Sequence, residues 1–344
     1  MLRVFLYEFL TAGGCWALGN EPPTGSLLRE GRAMRDALAS DLAAVPNVDC
    51  VWLMHDNRLP SPQLPKLEFF EVRSVDEERR LFQQLSATAD ATLIIAPEFS
   101  DVLLQRVLLA EQVLAQLISP GSQLVRLAAD KSATMDLLAA RRLPVPRGNV
   151  FRGKLPEQTD FVFPAVLKPN DGAGSGHVRR VNDREELGRA DLSRAESWRL
   201  EQFVPGLAAS VAILAGPREL VPLQPCFQHL SDDGRFTYLG GSTPLPSVLA
   251  NRAKRLAIKV AETLPKPRGY LGIDMVLGSA ENGTEDAVIE INPRLTTSYL
   301  GLRQACEQNL AAAMLQCVRG ETMTLSYRQQ QFDFTPETVR AATC

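Results

Sequence analysis

The stretch that most constrains this chain is residues 288–299, VIEINPRLTTSY. Glu290 and Asn292 lie two residues apart, so on a strand both side chains leave the same face. An acid and an amide on one face, followed at once by Pro293 and Arg294, make a poor core. The same set suits a divalent cation carrying phosphate. Mg²⁺ takes one or two carboxylates plus phosphate oxygens, and an arginine fork steadies charge on a transferring phosphoryl group. Upstream, residues 270–277 (YLGIDMVL) read as a second strand carrying Asp274, and ENGTED between them is a turn signal centred on Asn282-Gly283. A loop with an odd number of residues centred on Asn282 sets Asp274 directly opposite Glu290 on one face. A two-residue Asn-Gly turn instead pairs Asp274 with Ile291 and sends the carboxylates to opposite faces. The longer loop is the expected one, with both carboxylates sharing metal. A hairpin with a solvated polar face is the plainer alternative.

At 344 residues the chain is too long for one core and implies two or three domains. A net charge of -3 with no Lys/Arg run argues against nucleic acid as a partner. No apolar run approaches membrane-spanning length, and MLRVFLYEFL, with Arg3 and Glu8 inside it, reads as a first strand rather than a signal peptide. The six cysteines include no CxxC pair and the three histidines are scattered, so neither zinc nor a disulfide framework is expected. Reduced thiols and a cytoplasmic location follow as expectations.

Residues 1–120 alternate strand and helix signals, the pattern of a doubly wound α/β unit whose ligands lie at the carboxyl ends of its strands. By that rule Glu8, Gly13 and Gly14 after the first strand, and Glu98 after the fourth, face the crevice as candidate substrate contacts; turn chemistry is the alternative for each. In residues 121–205, Asp130-Lys131 opens a helix, and a lysine there opposes the helix dipole. Lys168 ends an apolar strand and is followed by Gly172, Gly174 and Gly176. Such glycines let backbone N–H groups converge on an anion, with the lysine as a point charge. The loop is neither a Walker A loop nor GxGxxG. EQFVP, from Glu201, ends a strand and can present an adenine edge with backbone groups and the Glu201 carboxylate, or simply link two domains. Residues 206–325 hold the metal hairpin, GGSTPLP as a loop, and one closing helix, GLRQACEQNLAAAMLQCV; residues 326–344 are expected to be a polar, poorly ordered tail.

In order, Asp130-Lys131, LKPNDGAGSGHV, EQFVPG, GID and IEINPR resemble the ATP-grasp superfamily over nearly the whole chain. The resemblance implies a pre-ATP-grasp α/β domain (1–120), a small lobe (121–205) and a C-terminal lobe with α+β character carrying the metal site (206–325). It implies ATP with one or two Mg²⁺, Mn²⁺ being able to substitute, and small-molecule partners: a carboxylate activated as an acyl phosphate and an amine that attacks it. A homodimer is compatible with it. Carried over by position, Lys131 and Lys168 look like the phosphate lysines, with Lys168 also catalytic. Gly172, Ala173, Gly174, Ser175 and Gly176 look like the phosphate loop, and Glu201 and Val204 like the adenine hinge. Asp274, Glu290 and Asn292 look like the metal ligands, with Glu290 bridging two ions, and Arg294 like the catalytic arginine on the acyl phosphate. One departure is the segment 207–210, LAAS, where many members place an acidic ribose ligand; Ser210 is the substitute at hand. YEF with GG, LLREGRAM, IAPE and NPRLTTSY further look like the tyramine–glutamate ligases of methanofuran biosynthesis. Thr296, Thr297 and Ser298 are then candidate substrate hydroxyls, with helix capping as their plainer role. A ligase for another amino acid or peptide, or a nucleotide-binding regulator without chemistry, are the alternatives.

Overall fold

The computed structural model describes residues 1–61, 66–153, 161–171 and 177–341. The first unit runs β1 (Leu2–Glu8), α1 (Ser26–Ala43), β2 (Val48–Asp56), β3 (Leu67–Val72), α2 (Val75–Thr88), β4 (Ala91–Ile95) and α3 (Val102–Gln112). Its strands pair in parallel in the order β3-β2-β1-β4. Burial on both faces explains why β1 and β4 read as continuous apolar runs rather than alternating ones.

The second unit runs α4 (Ser122–Ala129), α5 (Lys131–Ala140), β5 (Gly148–Arg152), β6 (Ala165–Pro169), β7 (Arg179–Val181), α6 (Arg184–Gly188) and β8 (Ser197–Gln202). Here the sheet is antiparallel, in the order β5-β8-β6-β7, over a small core of Ala165, Leu167, Val181, Leu187, Trp198 and Leu200.

The third unit runs β9 (Leu207–Ala215), β10 (Leu220–Pro222), β11 (Cys226–Leu230), β12 (Tyr238–Thr243), α7 (Ser247–Thr263), β13 (Gly269–Leu277), β14 (Ala287–Asn292), α8 (Ser298–Ala305), α9 (Leu310–Val318), β15 (Phe332–Phe334) and β16 (Val339–Ala341). Its antiparallel sheet has the order β14-β13-β9-β11-β12-β15-β16, with β10 on β9. One face packs on α4, α5 and α7. The other shares a core with α1, β1 and β2, so the first and third units are joined by a common apolar layer.

Three expectations are corrected. The tail is not loose, since β15 and β16 extend the large sheet, with Phe332 and Phe334 buried beside polar neighbours. GGST is strand rather than loop. Gly241 is needed there because a Cβ would lie 2.6 Å from the Phe334 ring. The closing helix is two helices, broken where Cys306 bridges to Tyr327 and where Asn309 caps α9 by accepting from Ala311 and Ala312 N–H.

Candidate functional site

In the metal hairpin, Asp274 pairs with Glu290 and Gly272 with Asn292. Loop parity alone does not produce this. Nearer the turn, Met275 faces Val288 and Val276 faces Ala287, a register that if continued would set Asp274 against Ile289. One extra residue, a β-bulge, restores the carboxylate pairing. The turn itself is held by buried Arg252, which forks onto Asp286 and also donates to the Gly278 and Ala280 carbonyls.

Asp274 accepts from Gln228 Nε2 on β11 (3.0 Å) and from Asn292 Nδ2 (2.9 Å). Burial, and next the facing Glu290 carboxylate, push Asp274 up to about 7. Both lysines reach β14, Lys131 from the start of α5 and Lys168 from β6 of the small sheet. Lys131 Nζ lies 3.0 Å from Glu290 Oε1, and Lys168 Nζ donates to the Ile289 carbonyl in the bulge (3.4 Å). The two lysine-bearing elements are tied together by Asn170, just past β6. Its carbonyl accepts from Lys131 N–H, its Oδ1 from Ser132 N–H, and its Nδ2 donates to the cap residue Asp130.

Glu201 differs from its expected place as an adenine acceptor. Its Oε1 is 2.6 Å from Lys168 Nζ and its Oε2 accepts from Arg199 Nε (2.8 Å). The reason lies in strand pairing. Lys168 sits directly opposite Arg199 on one face, a like-charge pair that is unfavourable unless an acid intervenes, and Glu201 is two residues along the same face. Arg199 also donates to Ser132 Oγ and the Pro146 carbonyl. Gly148 leaves it room, for a Cβ there would lie 2.7 Å from the guanidinium. Arg199 and Asn170 were not singled out from sequence; position 199, two before Glu201 on a strand, was the available signal. Val204 is half-buried just beyond β8. Gly172, Ala173, Gly174, Ser175 and Gly176 lie outside the described residues.

The expected substrate contacts divide. Glu8 is buried and committed to its own loop, accepting from Leu10 N–H, Thr11 N–H and Thr11 Oγ1. Gly13, at φ 88°, and Gly14 are buried in that same loop against Val72 and Phe9. For these three, the turn role is the one the contacts fill. Thr296 and Ser298 join Tyr270 OH in a hydroxyl cluster (2.8–3.2 Å) at the start of α8, and Thr297 hydrogen-bonds Tyr238. Glu98 is different. It is buried, and its Oε1 lies 2.8 Å from Arg294 Nε.

Two facing carboxylates, one of them pushed up by burial and then by the other, and a nearby amide oxygen make a donor set for a hard divalent cation that completes its shell with phosphate oxygens. Among the described residues no group of three or more His, Cys, Asp or Glu is arranged to hold a metal without such help. No helix among them is long and apolar enough to cross a membrane.

Comparison with known proteins bears on this geometry. Residues 128–298 match the model of an ATP-grasp domain, and residues 50–123 that of a pre-ATP-grasp domain. A tyramine–L-glutamate ligase from Methanocaldococcus fervens is 24% identical over 334 residues, 96% of this chain and 98% of that one. A D-alanine–D-alanine ligase from Caulobacter is 30% identical over 147 residues, covering 38% of this chain and 45% of that one. Among solved structures, an ATP-grasp superfamily protein from Archaeoglobus fulgidus superposes with a TM-score of 0.71 at 20% identity, covering 97% of this chain and 92% of the other. An L-amino acid ligase from Bacillus licheniformis does so with 0.72 at 16% identity, over 97% and 79%.

Proposed function

Since the chain belongs to the ATP-grasp superfamily, an ATP-grasp domain behind a pre-ATP-grasp domain and a ligase forming C–N bonds, we propose that it joins the γ-carboxylate of glutamate to tyramine or a closely related amine, a reaction of methanofuran-type cofactor synthesis. The observation that carries the reading is the convergence of Asp274, Glu290, Lys131 and Lys168 on one strand pair. The near full-length similarity to a tyramine–L-glutamate ligase supports the choice of substrates.

Lys131 and Lys168 neutralise the nucleotide phosphates. Glu201 and Arg199 hold Lys168 in place, and the backbone near Val204 borders the base. Asp274, Glu290 and Asn292 would hold Mg²⁺, or Mn²⁺ in its stead, which when bound spreads the phosphates' negative charge. A carboxylate oxygen of the acid attacks the γ-phosphorus while the bond to the ADP oxygen breaks, giving an acyl phosphate. The amine nitrogen then bonds to the carbonyl carbon as the C–O bond to phosphate breaks. An ammonium gives up two protons along this path, one to the departing phosphate and one to solvent. Arg294 stabilises the acyl phosphate and the departing phosphate. No His or Cys nucleophile is required, because positioning and charge stabilisation supply the catalysis.

Phosphate release from ATP tests the proposal. Release that needs glutamate and tyramine together supports the ligase. Release with neither these nor any pool of amino acids leaves only a nucleotide binder.

A further inference from the structure

Glu98 is a buried acid, 5% exposed, with both carboxylate oxygens unanswered by any hydrogen bond among the described residues. Arg294 Nε is 2.8 Å from Oε1, close enough for charge attraction, but its N–H is not aimed at the oxygen and is itself without an acceptor. Arg294 instead donates from Nη1 to the Leu295 carbonyl. Buried acids are ordinarily met by aimed donors. The arrangement is thus a charge pair held close without being closed.

The surrounding charge points the same way. Burial works against the Arg294 charge, while Glu98, then Glu290 and Glu30, sustain it. Glu290 is answered by Lys131. Glu30 also faces Arg29, which pairs with Glu337, and Asp274 faces Arg294 as well, so the single guanidinium of Arg294 is shared among several acids. Glu98 sits on the short turn after β4, at the carboxyl end of the parallel sheet, where doubly wound units take their ligands. It meets the residue that follows the metal hairpin. When Arg294 turns to an acyl phosphate, Glu98 loses the guanidinium beside it.

We propose that Glu98 is the seat of the amine substrate, which binds there as its ammonium cation when Arg294 shifts to the acyl phosphate. This rests on the ligase reading above. An ammonium brings three donors to two oxygens that now have none, and it restores the charge that Arg294 withdraws. The exchange also sets an order: the acid is activated first, and the cationic amine is drawn in by the carboxylate so exposed. The site therefore selects protonated primary amines over uncharged nucleophiles of similar reactivity.

Hydroxylamine, uncharged at neutral pH, provides the contrast, because it traps an acyl phosphate as the hydroxamate. With ATP, Mg²⁺ and glutamate, the wild-type protein is expected to form hydroxamate, and added tyramine to suppress it. The quantity to measure is the selectivity for tyramine over hydroxylamine, a ratio that partial misfolding leaves unchanged. Glu98→Gln should lower it about ten- to a hundredfold, the worth of a hydrogen bond to a charged group, and Glu98→Asp should restore part of it. An unchanged ratio in Glu98→Gln overturns the proposal, since a structural role or an effect through Arg294 would slow both nucleophiles alike. Hydroxamate that tyramine does not suppress in the wild type overturns it too. No hydroxamate at all in the wild type removes the ligase reading itself, and the seat with it.

Discussion

Lys131, Lys168, Arg199 and Glu201 are all buried, and each is stable there only through its neighbours. Replacing Glu290 by Ala removes a carboxylate from the proposed cation site and the ion pair it makes with Lys131. ATP turnover should fall by at least about a hundredfold, with cooperative unfolding retained at a lower melting temperature. Arg294→Ala should lose turnover to a similar degree; wild-type-like ATP consumption in either variant defeats the site assignment. A different residue contributes to the pH dependence of stability. His55 is buried, its Nε2 bonds the Leu59 carbonyl, and burial lowers its pKa below 6.5. At this imidazole the unfolded chain protonates first as pH falls, so its own contribution to stability declines below about pH 6.5 until the folded form also takes up the proton, while the raised Asp274 carboxyl works in the opposite direction over the same range. His55→Phe, which keeps an aromatic ring against Phe69, should flatten that decline in denaturant titrations between pH 7 and 5. An unaltered slope would place the acid sensitivity elsewhere.

At the scale of elements, the sheet edge built from the tail carries a testable weight. Phe334 on β15 fills space left by Gly241 on β12 and Gly301 in α8. Phe334→Ala should cost about 3–5 kcal/mol, read as a shift in the denaturation midpoint. A cost under about 1 kcal/mol would mean the tail is not integral to the sheet. This element was not legible in the sequence, because Phe-Asp-Phe in polar surroundings is shorter than any periodicity window. The first unit was legible, since β1 and β4 are largely apolar runs that alternate with helical stretches. The carboxylate pair was legible from spacing. The bulge behind it was not, because an extra residue leaves no mark on an otherwise apolar strand. The partners of Glu201 and Glu98 were hidden for another reason: Lys168 faces Arg199, and Glu98 meets Arg294, only after distant segments pair.

Across the whole molecule, the first and third units are riveted at Asp41 of α1. Its carboxylate takes Arg303 in a fork and the Tyr299 hydroxyl, and its carbonyl accepts from Asn309. Asp41→Ala leaves a half-buried arginine and a buried tyrosine hydroxyl unanswered. It should lower stability by about 3–5 kcal/mol and split thermal unfolding into two transitions by calorimetry. A single unshifted transition would show that the shared apolar layer suffices. The second unit touches the large sheet differently, through the Lys131 ammonium at the start of α5 on Glu290 and the Lys168 ammonium of β6 on the bulge carbonyl. Lys131 thus occupies the Glu290 oxygen that the proposed cation would need. A protein stripped by chelator should therefore melt at the same temperature as one left untreated. The divalent ion would leave its mark only once nucleotide comes with it and the lysine gives up its place.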